Sequence, residues 1–342
     1  MPAHAFISRR IPEAGLRVLR DAGVEYRIGQ ADTEHGLDRA TLLHGIRHAD
    51  VLVSLLTERI DAEALAANPR LRGVANMAVG YNNIDVAEAT RLGIPVSNTP
   101  GVLTETTADL TWALLLAVAR RVPEADAYMR AGHYRIWGPD LFLGADVGPG
   151  GSGVRKTLGI IGFGRIGRAV ARRARGFDMR VLAHSPEVAE IEAFDGVEYA
   201  PLDTLLQESD FVTLHAPYMP ETHHLIGEAQ LRLMKPTAFL VNVARGELVE
   251  ERTLVRALRE AWIAGAALDV YEHEPAMAAG LADCANAVLM PHIGSASVDT
   301  RGRMARMAAE NALAHLDFEP APNVVNPEVY DTGAYRERVD RT

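Results

Sequence analysis

Three segments of this 342-residue chain end apolar runs on residues that can handle charge. "LVNVARGELV" sets Arg245 after a strand-like run, followed by a glycine that permits a sharp turn. "IAGAALDVYEHEPA" delivers Asp269 and then Glu274, and "LMPHIGSAS" places His292 after a proline. Open parallel α/β sheets carry their chemistry at the carboxyl ends of strands. An arginine, a carboxylate and a histidine gathered there suit hydride transfer to a 2-keto acid. The guanidinium can hold a substrate carboxylate in a bidentate fork, which a lysine cannot match. The imidazolium can protonate the carbonyl oxygen as hydride reaches carbon, with Glu274 favouring its charged form and fixing the ring. Residue types alone do not rank the candidates. An arginine after a strand commonly serves a salt bridge, Asp269 could cap a turn, and His215, His223, His224 and His273 also fall near strand ends, loops or acids.

A cofactor for that hydride is written in "TLGIIGFGRIGRAV", where Gly162, Gly164 and Gly167 form G-x-G-x-x-G between a strand and a helix. That context makes the pattern a dinucleotide site. Gly162 permits the turn, Gly164 lets backbone approach a pyrophosphate, and Gly167 lets helix and strand pack closely. The amides of Phe163, Gly164, Arg165 and Ile166 then face the phosphates at a positive helix N-terminus. About 20 residues on, an acid should meet the adenosine ribose of NAD. Ser185, in "VLAHSPEVAE", occupies that strand end instead, and no arginine follows to clamp the extra phosphate of NADP. The missing acid tips the balance slightly to NADP, while Glu187, within reach from the loop, keeps NAD open.

The elements that must position these groups are legible as alternation. Residues 1–100 read as five strands ("HAFIS", "VEYRI", "DVLVSLL", "LRGVANMAVG", "IPVSN") with helices between them. A second series from "TLGIIG" to "AVLMPHI" reads as six strands with helices. Such alternation implies parallel sheets covered on both faces. The expected fold class is therefore α/β, two doubly wound domains with a cleft between them. "TETTADLTWALLLAVARRVPEADAYMRAG" reads as a long helix interrupted near Pro123, a candidate bridge between domains. "VDTRGRMARMAAENALAHLDF" reads as a helix that leaves the second domain to pack elsewhere, and the Gly-rich run at 148–154 as a solvent loop.

Bulk properties narrow the partners. A net charge of −10 argues against nucleic acid. The single cysteine, Cys284, allows no intrachain disulfide and no cysteine-rich zinc site, so no metal is expected. The N-terminal residues lack a signal-like apolar stretch, and "WALLLAVA" is too short to span a bilayer. A cytoplasmic protein without a membrane partner is the expectation.

The set "GFGRIG", "VNVARGELV", "AALDVYEHEP" and "PHIGSAS", in this order and spacing, resembles the D-isomer-specific 2-hydroxyacid dehydrogenase family. Upstream, "NMAVGYNNIDVAEATRLGIPVSNTPGVLTETTADL" and "WGPDLFLGADV" are similar to its glyoxylate/hydroxypyruvate reductase branch, and the likeness runs from about residue 5 to 318. The resemblance implies NAD(P)H-dependent reduction of a small 2-keto acid. Arg245 would bind and polarise substrate, Glu274 would support the acid, and His292 would donate the proton. It further implies that Val79 and Gly80 offer amides to the substrate carboxylate and that Leu56 walls the pocket. Asp269 would hold the carboxamide side of the nicotinamide, with Thr107 near that ring and Pro217, Val243 and Gly294 lining the cofactor. Trp137 would sit in a loop that reaches a neighbouring subunit, implying a homodimer. Residues 1–101 plus 293–342 would form the substrate domain and 102–292 the NAD(P)-binding Rossmann domain. Glu272 and His273 are expected to face water. The alternatives are a bulkier D-2-hydroxy acid as substrate, or a dinucleotide-sensing corepressor that binds partners instead.

Overall fold

In the computed structural model, which describes residues 3–30 and 36–340, the chain divides into two compact units. One takes the residues up to Leu103 and those from Ala296 onward; the other is Thr104–Ser295.

The first unit alternates β1 (His4–Arg9), α1 (Glu13–Asp21), β2 (Glu25–Gln30), α2 (Arg39–Arg47), β3 (Val51–Ser54), α3 (Ala62–Ala66), β4 (Gly73–Asn76), α4 (Val86–Arg91) and β5 (Val96–Ser97). Three of its helices start on an aspartate whose side chain accepts from the amide three residues on: Asp38 from Thr41, Asp61 from Ala64 and Asp85 from Glu88. Each such cap satisfies an amide that the helix cannot and contributes about 1 kcal/mol. The strands form one parallel sheet in the order β2-β1-β3-β4-β5. Its two faces carry separate cores, one around Phe6, Leu52 and Val74, the other around Ile7, Val53 and Ala75.

The second unit holds α5 (Thr104–Ala119), α6 (Val122–Arg130), β6 (Thr157–Ile161), α7 (Arg165–Ala174), β7 (Arg180–His184), α8 (Val188–Glu192), β8 (Val197–Tyr199), α9 (Leu202–Glu208), β9 (Phe211–Leu214), α10 (Glu228–Leu233), β10 (Phe239–Asn242), α11 (Glu251–Arg259), β11 (Gly265–Leu268) and β12 (Ala287–Leu289). Its parallel sheet runs β12-β11-β10-β9-β6-β7-β8, reversing direction between β6 and β9. That reversal opens a crevice at the strand ends. The central strands β6, β9, β10 and β11 are buried along their whole length, which is why they read as unbroken apolar runs.

Two expectations need correction. The second sheet has seven strands rather than six: β8 is three residues at the edge, Val197 half-buried and Glu198 and Tyr199 exposed, so it carries no buried apolar run. The helical stretch from 104 is no bridge. Its helix α5 packs on α7, β10 and β11 of the second unit, with Trp112 stacked on Phe177 at 4.5 Å. It ends before Arg121, which adopts a left-handed conformation (φ 53°) ahead of Pro123.

After the second unit, α12 (Val298–Leu316) and α13 (Gly333–Asp340) complete the first. Ser297 caps α12 by accepting from Thr300. The helix lies against α1, β3 and β4, where Gly73 leaves room for the His315 ring: a Cβ there would come within 2.4 Å of it.

Candidate active site

Within the second unit, β10, β11 and β12 bring their carboxyl ends together. Beyond β11 the backbone of Tyr271 passes so close to Gly246 that a Cβ on that glycine would stand 1.9 Å from the Tyr271 carbonyl. No side chain fits, so the glycine after Arg245 serves a close approach rather than a turn. Tyr271 then does two jobs. Its amide donates to Glu274 Oε1 at 3.1 Å, and its hydroxyl donates to the Met290 carbonyl at 2.9 Å. The acid is thereby fixed to the strand that leads to the histidine.

Glu274 Oε2 lies 2.8 Å from His292 Nδ1. Burial pushes the Glu274 carboxyl up, but the His292 hydrogen bond and charge, the Tyr271 amide and the Arg245 charge bring it below the usual value. It is therefore an anion near neutral pH. His292 itself is a non-glycine residue in the left-handed region, with φ 53°. Such a conformation costs on the order of 1–3 kcal/mol and persists only where the surroundings impose it. With Nδ1 committed to Glu274, Nε2 has no partner among the described residues, and the side chain keeps 32% of its exposure.

Arg245 is partly buried, and its Nη1 donates to the Ala244 carbonyl at 2.6 Å. Asn242 shapes its turn, donating to the Arg245 carbonyl and accepting from the Ala244 amide. Loss of hydration pushes the guanidinium below its ordinary value, against the charges of Glu247 and Glu274. A cation so desolvated gains from an anionic ligand.

The structure separates the histidines that residue types left equal. His215 lies at the end of β9 with both ring nitrogens unpartnered, and burial pushes it down to about 3. His224 is taken by Glu272, with Nε2 2.7 Å from Oε1. Contrary to expectation, Glu272 does not face water. Its side chain is 15% exposed, and Oε2 accepts from the Glu251 amide while the buried Glu251 carboxylate accepts from the Glu272 and Ala278 amides. This reciprocal latch pins both ends of the loop carrying Glu274 to the start of α11. Sequence reading missed Glu251 and Tyr271, which look like an ordinary helix residue and a strand-end apolar residue. His273 is exposed.

Asp269 is tied to the chain on the far side of His292. It is 1% exposed, and its two oxygens accept from the Ile293 and Gly294 amides at 2.7 Å each. Burial raises its carboxyl, opposed by those bonds and by His292. Its carboxylate is engaged with the backbone that follows His292. Thr107, buried on α5, donates to the Gly294 carbonyl at 3.1 Å. Val243 is buried, and the Pro217 carbonyl accepts from Thr222 at 2.9 Å.

At the other side of the sheet reversal, Gly162 has φ 91°, and a Cβ there would press on the Ala216 amide at 2.4 Å. Gly167 has no room either, its Cβ falling 2.3 Å from the Gly162 carbonyl. Gly164 is different: its Cβ position meets nothing within 4 Å. It stands at the start of α7, which has no side-chain cap and no acid in its first turn. Open space over an uncapped, electropositive helix end fits a pyrophosphate, with Arg165 and Ile166 presenting the next amides and Phe163 buried beneath. At the end of β7, Ser185 donates to Glu187 Oε2 at 2.6 Å, and this bond holds the Glu187 carboxyl below its usual value. The strand end that lacks an acid in sequence thus has one held against it.

Leu56, Val79 and Gly80 belong to the first unit. Leu56 is 36% exposed, and Val79 and Gly80 are half-buried in the loop after β4. Trp137 follows α6 in the second unit and is 72% exposed.

The chain is similar to known proteins over nearly its whole length. A family model described as D-isomer specific 2-hydroxyacid dehydrogenase, NAD binding domain, matches residues 112–294. The chain is 50% identical over 334 residues to a glyoxylate reductase of Thermococcus onnurineus, covering 96% of this chain and 97% of the relative. Among solved structures, a Thermus thermophilus protein superposes with a TM-score of 0.86 at 43% identity, covering 94% of this chain and 99% of the other. An NADPH-dependent glyoxylate/hydroxypyruvate reductase from Sinorhizobium meliloti, in complex with NADP and malonate, superposes with a TM-score of 0.79 at 29% identity, covering 96% and 98%.

Proposed function

The chain belongs to the D-isomer-specific 2-hydroxyacid dehydrogenase family, and from that premise we propose that it reduces glyoxylate and hydroxypyruvate to their 2-hydroxy acids with a nicotinamide dinucleotide. It is an NAD(P)-dependent oxidoreductase acting on a small 2-keto acid. The observation that carries the catalytic reading is the Glu274–His292 pair, which leaves Nε2 of a conformationally strained histidine without a partner among the described residues.

When bound, the reduced dinucleotide supplies the hydride. Gly162, Gly164 and the amides opening α7 would hold its pyrophosphate. Thr107, Pro217, Val243 and Gly294 would line it, with Asp269 acting through the backbone at 293–294. Arg245 would hold and polarise the keto acid, and its positive charge opposes the charge growing on the carbonyl oxygen. His292 Nε2 would give that oxygen its proton, leaving a neutral imidazole beside Glu274. Val79 and Gly80 would offer amides to the substrate carboxylate, with Leu56 as an apolar wall.

Coenzyme choice turns on Glu187. A carboxylate at the end of β7 accepts from a ribose 2′-hydroxyl and repels a 2′-phosphate. This reverses the slight preference for NADP drawn from the missing acid and favours NADH. A homodimer is supported by the apolar surface beyond α5. No residue of α6 is buried, and Met129, Ile136, Trp137 and Leu143 are 57–83% exposed. Four large apolar side chains this exposed between Met129 and Leu143 support burial against a second copy. Among the described residues no helix is long and apolar enough to cross a membrane.

The test is coenzyme oxidation followed at 340 nm with glyoxylate, hydroxypyruvate and pyruvate, using NADH and NADPH in parallel. Turnover of the first two substrates, with NADH ahead, is expected. In His292→Gln, turnover falls roughly 10²–10⁴-fold, the contribution of a placed general acid, while coenzyme affinity stays. Unchanged turnover removes His292 from the mechanism.

A further inference from the structure

The loop after β4 has an arrangement that the role of Val79 and Gly80 does not by itself explain. Three successive carbonyls are anchored. That of Ala78 accepts from the Thr99 amide at 2.8 Å, that of Val79 from Asn98 Nδ2 at 2.8 Å, and that of Gly80 from Asn76 Nδ2 at 2.9 Å. In a planar trans peptide, a carbonyl and the next amide point in opposite directions. Each anchor therefore turns one N–H away from itself: Thr99 that of Val79, Asn98 that of Gly80, and Asn76 that of Tyr81. None of these three amides has a partner among the described residues. Successive backbone amides in a bent segment form an anion-binding concavity; those of the half-buried Val79 and Gly80 are stabilised by gaining an acceptor, and Tyr81 beside them is exposed.

The anchors are themselves held. Asn76 is fully buried and accepts from Ser54 Oγ at 3.2 Å. Asn98 sits in a triangle of asparagines. Its amide donates to the Asn323 carbonyl at 3.1 Å, its carbonyl accepts from Asn311 Nδ2 at 3.0 Å, and Asn323 Nδ2 donates to Asn311 Oδ1 at 3.3 Å. Asn311 is a fully buried residue of α12. The returning C-terminal segment is therefore two hydrogen bonds from the loop.

We propose that Asn98, held by Asn311 and Asn323, and Asn76 are positioning residues that aim the Gly80 and Tyr81 amides at the substrate carboxylate, with Tyr81 as a third donor beside Val79 and Gly80. The proposal rests on the reading of that loop as the carboxylate site. It makes keto-acid affinity, and not coenzyme affinity, depend on the segment beyond residue 296.

The experiment compares Asn98→Ala with Gly80→Pro, which deletes one of the amides, in the full-length enzyme. Measured are kcat and KM for glyoxylate, the inhibition constant of oxamate, and the NADH dissociation constant by fluorescence titration. In Asn98→Ala, KM and the oxamate constant should rise together by roughly tenfold, the loss of one well-aligned hydrogen bond to a charge. The NADH constant should stay within about twofold, with kcat less affected than KM. Asn311→Ala, two bonds away, should give the same split, and it replaces Asn98→Ala if that variant does not fold. If Gly80→Pro weakens oxamate but neither asparagine variant does, the positioning role is wrong. Equal losses in oxamate and NADH binding reduce the asparagines to structural residues and also overturn it. If Gly80→Pro leaves oxamate binding untouched, the carboxylate reading itself fails.

Discussion

Replacing Glu274 by glutamine isolates what its charge does for His292. Glutamine is nearly isosteric and its carbonyl oxygen can still accept from Nδ1, so the 2.8 Å contact and the Tyr271 anchor can both survive. What disappears is the negative charge that favours the imidazolium. A hydrogen bond to a charged group is worth about 1.5–3 kcal/mol and a neutral one about 0.5–1.5 kcal/mol. The two ranges differ by about 1–1.5 kcal/mol; the pair is about one third exposed on each side, so solvent screening reduces this to about 0.5–1 kcal/mol. At 1.36 kcal/mol per tenfold change, kcat/KM for glyoxylate should fall about two- to fivefold in Glu274→Gln. The assay is kcat/KM at saturating coenzyme, with Glu274→Ala beside it, which removes the acceptor of the His292 bond as well as the charge. The alanine variant should lose clearly more than the glutamine variant. An unchanged kcat/KM in Glu274→Gln would refute the electrostatic argument and leave Glu274 as a packing residue.

Two further outcomes follow from the structure. Gly246→Ala forces a Cβ to within 1.9 Å of backbone that cannot yield, so a loss of about 3 kcal/mol is expected; calorimetry showing an unchanged Tm would mean that Tyr271 does not pass there. His215 and His315 are both pushed down to about 3 by burial, so between pH 6.5 and 3 the unfolded chain binds protons that the folded chain does not. Their stabilising contribution is complete above pH 6.5 and shrinks as pH falls, by up to about 1.4 kcal/mol per unit for each histidine. Urea unfolding at pH 7, 6 and 5 reads it, and a midpoint independent of pH would contradict the buried, neutral state of both rings.

Alternation of apolar runs and helical patterns was enough for two parallel α/β units, because strands buried on both faces must be apolar throughout. Edge strand β8 escaped because one partner and open solvent demand no such run. The glycine pattern at 162–167 was equally legible, since its chemistry is that of contiguous backbone. Glu187 was visible only as a loop acid; that it accepts from Ser185 is a matter of how the chain turns after β7.

By itself, then, the sequence determined the residue types at the strand ends, the dinucleotide turn and the existence of the last helix, all of which depend on neighbours within a few positions along the chain. Only the tertiary structure decided which histidine is held for chemistry, that Asp269 and Glu272 turn inward, and that Asn98 is tied to Asn311. Each of these depends on groups 18 to 213 positions apart. Periodicity carries no information about such pairs, because a side chain's partner across strands is set by sheet order and by the close approach of backbone at glycines such as Gly246.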